Sequence, residues 1–523
     1  MSNQAGTPAE GNQAPVIGFL ANPASYAEVQ RVERFETHGN LVFLAGSEAW
    51  KIKRAVRFPY MDFSTLEKRR LACLREVEVN RRFSADLYLG CVAITRSAAG
   101  TLSFSGAGEI VEWAVHMRRF EQSDLLSNLA MQGGITGDLA KQLGDLVYGS
   151  HAGAERRAPS SGTEPIRHLG SSVCSSLRNS GAFDSAEVSR FARQIEEQLK
   201  RAAATLDARA AKGFVRRCHG DLHLANVVLW HGRPLLYDAI EFDETIATID
   251  TLYDLAFLLM DLDWHGQRHP ANVVLNRYLW RSQDELDLKG LAALPVFLAL
   301  RASIRAMVAI DRAAQEDTCA RMRDFDRARR YVRAGLDYIA QPAPQLIAIG
   351  GLSGTGKSTL GAALAPLVGG SPGAVHFRSD LERKAVAGVG ELDRLPASSY
   401  TKEARDRIYQ LLKEKAQVVL AAGRSVIVDA VYAREEQRRD IETAAVGLGI
   451  PFHGLWLEAD RDALMARVTE RQTDASDATS ETVEAQLRAE VGPISPAWIT
   501  IDANGAAGET LRSASSHLGL VQC

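Results

Sequence analysis

The sequence predicts a bilobal α+β domain followed by an α/β domain with a parallel sheet, and three observations predict this order. Residues 219–226, HGDLHLAN, place an Asp and an Asn five positions apart, directly before a short hairpin pattern. Residues 351–358, GLSGTGKS, lie between an apolar strand and a helix. Residues 341–344, QPAP, end the helix that precedes them, so the main domain boundary is expected there.

Length and composition exclude several classes of protein. The chain has 523 residues, enough for about three domain-sized units. A net charge of −3 argues against a broadly basic surface, so a nucleic-acid partner is not favoured. A local basic patch that binds nucleic acid is the alternative. The apolar runs are shorter than the roughly 20 residues that span a bilayer, and the polar N-terminus has no signal-peptide core. We expect a cytoplasmic protein without a membrane partner, and the sequence does not determine its oligomeric state.

The pattern along the chain predicts four segments. Over residues 41–53 two short strands flank a Gly-Ser-Glu turn, which indicates a hairpin, and a helix is expected over about 65–84. Residues 123–341 are mainly helical, and strands and helices alternate beyond them, which is typical of a doubly wound parallel sheet. The predicted segments are a disordered N-terminus at 1–14, a first domain at 15–340, a linker at 341–345 and a second domain at 346–523.

The residues of the first motif suit the transfer of a phosphoryl group. That reaction needs a residue to orient the acceptor hydroxyl, ligands for Mg²⁺ and a cation for the nucleotide phosphates. Asp221 and Asn226 have the spacing of the base and the metal ligand in an H-R-D-x-x-x-x-N catalytic loop. Asp238 follows the short hairpin and is expected to be the second metal ligand.

A lysine on a strand and a glutamate on a helix are expected to hold the nucleotide at this site. Lys51 follows Ala49 in an A-x-K pattern. Because side chains alternate along a strand, Lys53 lies on the same face, and the choice between the two lysines stays open. Glu76 in the next helix is the candidate partner of the lysine, and Glu78 is the alternative.

These residues together resemble the aminoglycoside phosphotransferase-like family of small-molecule kinases. The resemblance covers about residues 15–340. It implies a protein-kinase-like fold with Asp221 as the catalytic base. The residues that match the H-G-D-x-H-x-x-N signature are His219, Gly220, Asp221, His223 and Asn226.

Other polar residues near the loop are interpreted as structural. We expect His219 and His223 to brace the loop by hydrogen bonding. Asp250 and Asp254 are expected to cap a helix or to brace the same loop.

The second motif is a P-loop, since residues 351–358 match G-x-x-x-x-G-K-S in full. Its glycines let backbone N–H groups surround phosphates at the N-terminus of a helix. Lys357 is expected to bridge the outer phosphates and Ser358 to bind Mg²⁺. The predicted nucleotide-binding residues of this loop are Gly351, Gly354, Thr355, Gly356, Lys357, Ser358 and Thr359.

Further residues are expected to complete the P-loop site. Asp429 ends an apolar strand in the manner of a Walker B aspartate and is a candidate Mg²⁺ ligand, with a buried strand cap as the alternative. Arg467 and Arg471 share one face of a predicted helix, ahead of a polar lid at 472–482. They could close on the transferred phosphate, and surface ion pairing is the alternative interpretation.

An acceptor site of the second domain is predicted from a D-x-x-R pattern formed by Asp380 and Arg383. Over about residues 345–523 the chain resembles P-loop kinases related to polynucleotide kinase, gluconate kinase and zeta toxins, within the wider AAA-type group. The resemblance implies that Asp380 orients or deprotonates the acceptor hydroxyl and that Arg383 binds the acceptor. The alternative for Asp380 is an ordinary helix N-cap.

The acceptor of the first domain is expected to be anionic. Arg301 and Arg305 fall on one sector of a predicted helix, and arginines pair well with phosphate or carboxylate groups. A salt-bridged helix face is the alternative. Aminoglycosides are polycations, so antibiotic modification is not favoured.

These observations predict a bifunctional phosphotransferase that uses ATP or GTP with Mg²⁺. It would transfer the γ-phosphoryl group to a hydroxyl of a small, anionic acceptor. Two alternatives stay open: a nucleic-acid 5′-hydroxyl kinase that acts through the P-loop domain, and a nucleotide-sensing regulator.

Overall fold

The computed structural model describes residues 12–37, 39–58, 61–313, 318–470 and 474–520. The chain divides into two compact units, and each contains one of the two motifs. Unit 1 comprises Met1–Ile135, Gly149–Ala158 and Gly213–Leu258. Unit 2 comprises Thr136–Tyr148, Pro159–Lys212 and Leu259–Cys523.

The described residues form strands and helices in the following order. The strands are β1 (Val32–Glu36), β2 (Asn40–Ala45), β3 (Glu48–Lys53), β4 (Arg57–Phe58), β5 (Met61–Asp62), β6 (Tyr88–Arg96), β7 (Leu102–Phe104), β8 (Glu109–Arg118), β9 (Val215–Arg217), β10 (Val227–Trp230), β11 (Arg233–Leu236), β12 (Thr248–Asp250), β13 (Leu346–Gly351), β14 (Val375–Arg378), β15 (Val426–Asp429), β16 (Phe452–Glu458) and β17 (Trp498–Asp502). The helices are α1 (Ala14–Ala21), α2 (Leu66–Ser84), α3 (Leu126–Met131), α4 (Gly137–Ala152), α5 (Thr163–Asn179), α6 (Ser185–Ala211), α7 (Glu244–Ala247), α8 (Thr251–Trp264), α9 (Arg268–Ser282), α10 (Glu285–Gly290), α11 (Leu294–Ala313), α12 (Thr318–Ile339), α13 (Lys357–Leu364), α14 (Ser379–Ala387), α15 (Lys402–Ala421), α16 (Glu435–Val446), α17 (Arg461–Glu470), α18 (Ser480–Arg488) and α19 (Ala507–His517).

Unit 1 is built on a six-stranded antiparallel sheet with the order β1-β2-β3-β8-β6-β7. The predicted hairpin is confirmed, since β2 and β3 pair in antiparallel register with Val42 opposite Lys51. Gly46 in its turn has a φ of 60°, which glycine adopts without the steric cost of a Cβ. Helix α2 begins after Thr65, whose hydroxyl accepts a hydrogen bond from the Lys68 N–H, and packs on β6 and β8. The sheet and this helix therefore carry Lys51 and Glu76 on facing elements.

The first motif lies between two small antiparallel strand pairs of unit 1. Strand β9 pairs with β12, and the predicted hairpin of β10 and β11 is confirmed. Leu224–Asn226 forms one 3-10 turn that leads from the motif into β10. The motif is thus held at both ends by hydrogen-bonded strands.

The helical part of unit 2 contains a buried apolar helix. Among the described residues, the segment Glu285–Ala313 is long and apolar enough to cross a membrane by composition. However, 72% of its most apolar window is buried inside the protein, and α11 packs along α12. This degree of burial is typical of a core helix.

The remainder of unit 2 is a five-stranded parallel sheet with the order β14-β15-β13-β16-β17. Its core contains Ile347 and Ile349 of β13 together with Leu360 and Leu364 of α13. In an open parallel sheet, ligands bind beyond the carboxyl ends of the strands, which here are the ends of β13, β14 and β15. The predicted fold class is confirmed: a bilobal α+β protein-kinase-like domain is followed by an α/β P-loop domain.

Candidate phosphoryl-transfer sites

Two lysines of β3 share one glutamate in unit 1. Lys51 Nζ lies 2.8 Å from one carboxylate oxygen of Glu76, and Lys53 Nζ lies 2.6 Å from the other. Lys51 also contacts Asp238 at 2.6 Å, whereas Lys53 makes its second ion pair with Glu241. Both predicted lysines and the predicted glutamate therefore meet, and the two lysines differ in their second partner.

The alternative glutamate is excluded as the lysine partner. Glu78 lies on the exposed side of α2, where it pairs with Arg75 at 2.7 Å. Glu76 is fully buried and lies two positions before Glu78, so the two side chains point to nearly opposite sides of the helix. Helical periodicity therefore allows one of these two carboxylates to face β3.

Opposite charges favour the ionised forms of Lys51 and Glu76 in this cluster, whereas burial opposes ionisation of Glu241. Burial raises the pKa of Glu76, but the positive charges of Lys51 and Lys53 outweigh it and lower that pKa to about 2. Burial lowers the pKa of Lys51, yet the charges of Asp238 and Glu76 raise it well above its usual value. Burial dominates for Glu241 and raises its pKa. Lys53, whose side chain is fully buried, forms a second ion pair with Glu241 beside the Lys51–Glu76 pair.

The predicted base and metal ligand are adjacent in the catalytic loop. Asn226 Nδ2 donates to the Asp221 carboxylate at 3.0 Å and to the Asp221 carbonyl at 2.9 Å. His223 Nε2 lies 3.3 Å from the same carboxylate. The Tyr237 N–H donates to the Asn226 carbonyl at 3.1 Å, so the segment that carries Asp238 runs beside the loop. The three predicted residues of this site are therefore brought together.

The catalytic loop is braced by buried polar groups, as expected. The Asp254 carboxylate accepts hydrogen bonds from the N–H groups of His219 at 3.2 Å and Gly220 at 3.0 Å. His151 Nε2 lies 3.1 Å from the same carboxylate. His219 Nε2 reaches the Tyr237 carbonyl at 3.0 Å, and burial lowers the pKa of this imidazole. The bracing interpretation of His219 and Asp254 is confirmed.

Residues that the sequence did not indicate hold the Asp238 segment. Asp238 has a φ of 58°, which is uncommon for a residue with a Cβ. Its N–H donates to the Tyr88 hydroxyl at 3.2 Å, and the Ala239 N–H donates to Asn80 Oδ1 at 2.8 Å. Asn80 lies one turn after Glu76 on α2, so one helix aims the lysine and fixes the loop. The signal in the sequence that could have identified Asn80 is its spacing of four residues from Glu76, which places both on one face of the helix.

The P-loop of unit 2 has the backbone that phosphate binding requires. Gly354 and Gly356 have φ values of 90° and 89°, and α13 begins at Lys357 directly after them. Lys357 Nζ and Thr355 Oγ1 both donate to the Leu352 carbonyl at 2.8 Å. Gly351 ends β13, and Thr359 is exposed on the first turn of α13. All seven predicted loop residues therefore lie in one strand–loop–helix unit.

Ser358 and Asp429 meet beside the P-loop. Ser358 Oγ lies 3.2 Å from one oxygen of the Asp429 carboxylate. The other oxygen accepts a hydrogen bond from His376 Nε2 at 2.7 Å. Burial raises the pKa of Asp429, but that hydrogen bond and nearby positive charges outweigh it, so the pKa lies below its usual value. Hydroxyl and carboxylate oxygens are ligands that suit Mg²⁺, so this pair fits the predicted metal role.

The predicted acceptor residues of the second domain form an ion pair on α14. Arg383 Nη1 lies 3.1 Å from Asp380, and its guanidinium stacks over the Tyr400 ring at 4.7 Å. The Tyr400 hydroxyl donates to Asp477 at 2.7 Å. Asp380 is the second residue of α14, which follows the carboxyl end of β14. It therefore lies at the same edge of the sheet as the P-loop.

Of the two arginines predicted to lie ahead of the lid, the structure describes Arg467. Arg467 donates to the Asn504 and Gly505 carbonyls at 3.0 and 3.1 Å, and its guanidinium approaches the Gly354 carbonyl at 3.5 Å. Arg467 is thus adjacent to the P-loop. Arg471 lies outside the described residues.

Two further residues contact this site without having been predicted. Gln486 of α18 accepts a hydrogen bond from the Ser353 N–H at 2.8 Å and donates to its hydroxyl at 3.1 Å. Arg378 pairs with Asp474 at 2.7 Å, and Asp429 and Asp380 are close enough to raise its pKa despite burial. His376 and Arg378 alternate with apolar residues along β14, and that period-2 pattern was the available signal.

The predicted acceptor arginines of the first domain lie on α11. Arg301 is buried, and Arg305 is half-buried and hydrogen-bonded to the Tyr331 hydroxyl. Their role in acceptor binding stays a prediction.

A cavity of about 710 Å³ opens beside the P-loop in unit 2. Leu352 and Thr355 of the loop line one side, and Asp460, Asp502 and Asn504 line another. Arg467 donates to the carbonyl of Asn504, one of the residues that line the cavity. The space is within the range of ordinary small-ligand pockets.

One family model and two bacterial relatives match this chain. Residues 346–492 match the family model described as an AAA domain. Uncharacterized proteins of Mycobacterium tuberculosis (strain H37Rv) and Mycobacterium bovis (strain AF2122/97) are each 27% identical over 454 residues, which is 85% of this chain and 87% of each relative. No single predicted domain is that long, so the alignment extends over parts of both.

Several solved structures are similar to parts of the chain. A gluconokinase from Sinorhizobium meliloti is 22% identical and covers 34% of this chain and 92% of its own, with a TM-score of 0.26. A choline/ethanolamine kinase family protein from Mesorhizobium loti is 14% identical and covers 62% and 97%, with a TM-score of 0.37. The GDP complex of aminoglycoside 2′-phosphotransferase-IIIa is 13% identical and covers 62% and 99%, with a TM-score of 0.38.

Proposed function

We propose that the protein is a bifunctional phosphotransferase with one nucleotide site in each unit. Each site would transfer the γ-phosphoryl group of ATP or GTP to a hydroxyl of a small molecule. The observation that carries the proposal is the meeting of Asp221, Asn226 and the Asp238 segment in one loop cluster, because this is the set that phosphoryl transfer requires. The P-loop with its Ser358–Asp429 pair supports the second site.

At the first site, Asp221 is the base in this proposal. It accepts the proton of the acceptor hydroxyl as that oxygen bonds to the γ-phosphorus and the bond to the β–γ bridging oxygen breaks. The products are the phosphorylated acceptor and the nucleoside diphosphate. Asn226 and Asp238 are oxygen donors that fit Mg²⁺, which when bound neutralises charge on the phosphates. Lys51 is the phosphate contact, since it reaches Asp238 at 2.6 Å while Lys53 pairs with Glu241.

At the second site, the phosphates lie in the P-loop and the acceptor lies near Asp380. Backbone N–H groups and Lys357 hold the phosphates, and Ser358 and Asp429 hold the metal. Asp380 orients or deprotonates the acceptor hydroxyl, and Arg383 binds the rest of the acceptor. Arg467 contacts the nucleotide from α17.

The acceptor of the first site is proposed to be small and anionic, and the enzyme is proposed to act in the cytoplasm. Arginines such as Arg301 and Arg305 support an anionic acceptor by bidentate pairing. The apolar segment Glu285–Ala313 is mostly buried, so it gives little support to a membrane-bound enzyme.

Nucleotide consumption in the presence of Mg²⁺ tests the proposal. Wild type, Asp221→Asn and Lys357→Ala would be compared over a panel of sugars, amino alcohols, phosphorylated metabolites and 5′-hydroxyl oligonucleotides. We expect Asp221→Asn to lower turnover with one acceptor by about 10²- to 10⁴-fold, the range for loss of a general base. Lys357→Ala should leave that turnover intact and abolish turnover with an acceptor of the P-loop site.

Three outcomes would change the conclusion. Loss of every activity in each single variant would exclude two independent sites. Transfer to oligonucleotides that is lost in Lys357→Ala would favour a nucleic-acid 5′-hydroxyl kinase, for which the Asp380–Arg383 pair is the supporting observation. Tight nucleotide binding without acceptor-dependent turnover would favour a nucleotide-sensing regulator.

A further inference from the structure

Helix α9 covers the free edge of the parallel sheet in unit 2. Strand β14 is the first strand of the sheet order, so among the described residues no strand pairs with its outer backbone groups. Side chains of α9 take that place: Asn276 Oδ1 accepts from the His376 N–H at 2.7 Å, and Asn272 Nδ2 donates to the Ala374 carbonyl at 3.0 Å. Trp280 Nε1 donates to the Leu381 carbonyl at 3.2 Å. Asn272 and Asn276, four residues apart on one helix face, thus bind β14 and the residue before it, and Trp280, one turn further, binds α14.

The residue that α9 fixes by its backbone reaches the P-loop site by its side chain. Asn276 binds the main chain of His376, and the His376 imidazole donates from Nε2 to Asp429 at 2.7 Å. An ionised carboxylate can only accept, so Nε2 carries the proton. The opposite carboxylate oxygen faces Ser358 at 3.2 Å. The side chains of His376 and Asp429 are 7% and 5% exposed, so water competes little for this hydrogen bond.

A glycine makes room for this imidazole. Gly361 lies on α13, one turn after the P-loop, and a Cβ there would overlap Nε2 of His376 and lie 2.6 Å from its Cε1. Alanine is a better helix former than glycine by about 0.8–1.0 kcal/mol, so helix propensity does not account for a glycine here. The close approach of the imidazole to α13 explains the glycine, because a Cβ would occupy the space of the ring.

We propose that His376 is a positioning residue for the metal-ligand carboxylate of the P-loop site, and that Asn276 of α9 holds His376 in place. The histidine binds one oxygen of Asp429 and so orients the other toward Ser358 and the metal. This inference rests on the proposed role of Asp429. It adds that the P-loop site depends on helix α9, whose Asn276 precedes His376 by 100 residues in the chain.

Metal affinity in the nucleotide complex tests this inference. Mn²⁺ binding would be measured by electron paramagnetic resonance on the full chain with ADP, in an Asp238→Asn background that removes a ligand of the first site. We expect His376→Ala to weaken Mn²⁺ binding by about 10-fold or more, the range for loss of a partner that orients a metal ligand. His376→Gln should restore much of the affinity, because its Nε2 can donate from a similar position.

Two variants separate positioning from a general loss of structure. Asn276→Ala should weaken Mn²⁺ binding, whereas Trp280→Phe, which removes a contact of the same helix face away from His376, should not. Thermal midpoints of all variants would be recorded in parallel.

The outcomes distinguish this inference from the proposed function. If the parent protein with intact His376 does not bind Mn²⁺ together with ADP, the metal role of Asp429 itself is wrong. If the parent binds Mn²⁺ and His376→Ala binds it equally well, His376 does not position the ligand. Equal losses in Trp280→Phe and Asn276→Ala would also overturn the inference, because the effect would then come from loosening of α9.

Discussion

The two candidate sites are assembled in opposite ways. In unit 1 the groups come from β3, α2, the catalytic loop and the segment after β11, and buried ion pairs join Lys51, Lys53 and Glu76. In unit 2 the predicted phosphate-binding groups are consecutive residues of one loop, with Asp429 supplied by a neighbouring strand. The first site therefore depends on long-range contacts between charges, and the second depends on local backbone geometry. Substitutions should consequently act through tertiary stability in the first and through loop conformation in the second.

The largest expected effect concerns the deeper lysine of the first site. Lys53→Met leaves the Glu241 carboxylate buried without its cation, and removing one partner of a buried pair costs about 3–5 kcal/mol. We expect the urea unfolding midpoint to fall strongly. The control is the double variant Lys53→Met/Glu241→Gln, which should recover part of the loss. A single variant as stable as wild type would show that Glu241 does not need Lys53.

The second effect concerns the lysine that we propose contacts phosphate. Lys51→Met should reduce turnover at the first site by about 10²- to 10³-fold, the loss seen when one transition-state contact is removed. P-loop turnover should be unchanged, and nucleotide consumption with the acceptor of each site measures both. If Lys51→Met and wild type show comparable turnover, a residue other than Lys51 contacts the phosphate.

The third effect tests the local geometry of the second site. Gly356 has a φ of 89°, and a residue with a Cβ pays about 1–2 kcal/mol in that conformation. Apart from its chain neighbours, no heavy atom of the described residues lies within 4 Å of the Cβ position, so Gly356→Ala changes backbone strain without creating a clash. We expect nucleotide affinity at the P-loop to fall by roughly one order of magnitude, measured by calorimetry in a Lys51→Met background.

Gly388 is the matched glycine for that comparison. It ends α14 with a φ of 70°, also with open space around the Cβ position, and it lies outside the P-loop. Gly388→Ala should impose similar strain on the backbone and leave nucleotide affinity unchanged. Equal losses of affinity in the two variants would contradict a local role for Gly356.

The smallest effect concerns Gln486, which holds the P-loop from α18. Gln486→Ala removes two hydrogen bonds to Ser353, each with a net worth of about 0.5–1.5 kcal/mol. The KM for nucleotide at the P-loop should rise several-fold while kcat changes little. Gln410→Ala removes an exposed glutamine that contacts Glu414 and serves as the control. If the KM of Gln486→Ala equals that of the control, the P-loop keeps its conformation without the hydrogen bonds from Gln486.

Local sequence patterns were sufficient to predict the site residues that lie close together in the chain. The P-loop, the spacing of Asp221 and Asn226 and the strand lysines were predicted because each is a short pattern with a periodicity or a turn requirement. The hairpins of β2–β3 and β10–β11 were predicted for the same reason. Glu241, Asn80 and His376 were not predicted, since each acts on a residue far along the chain. The helical spacing of Asn80 and the strand alternation of His376 mark a side of an element and do not identify the distant partner.

The sequence by itself therefore determined two motifs, the fold class and the residues that each motif contains within a few positions. The tertiary structure decided which lysine reaches Asp238, that Glu76 and not Glu78 joins the cluster, and that α9 completes the edge of the parallel sheet. The physical reason is that backbone turns and strand alternation are local properties, whereas burial and ion pairing are settled only when distant segments pack together.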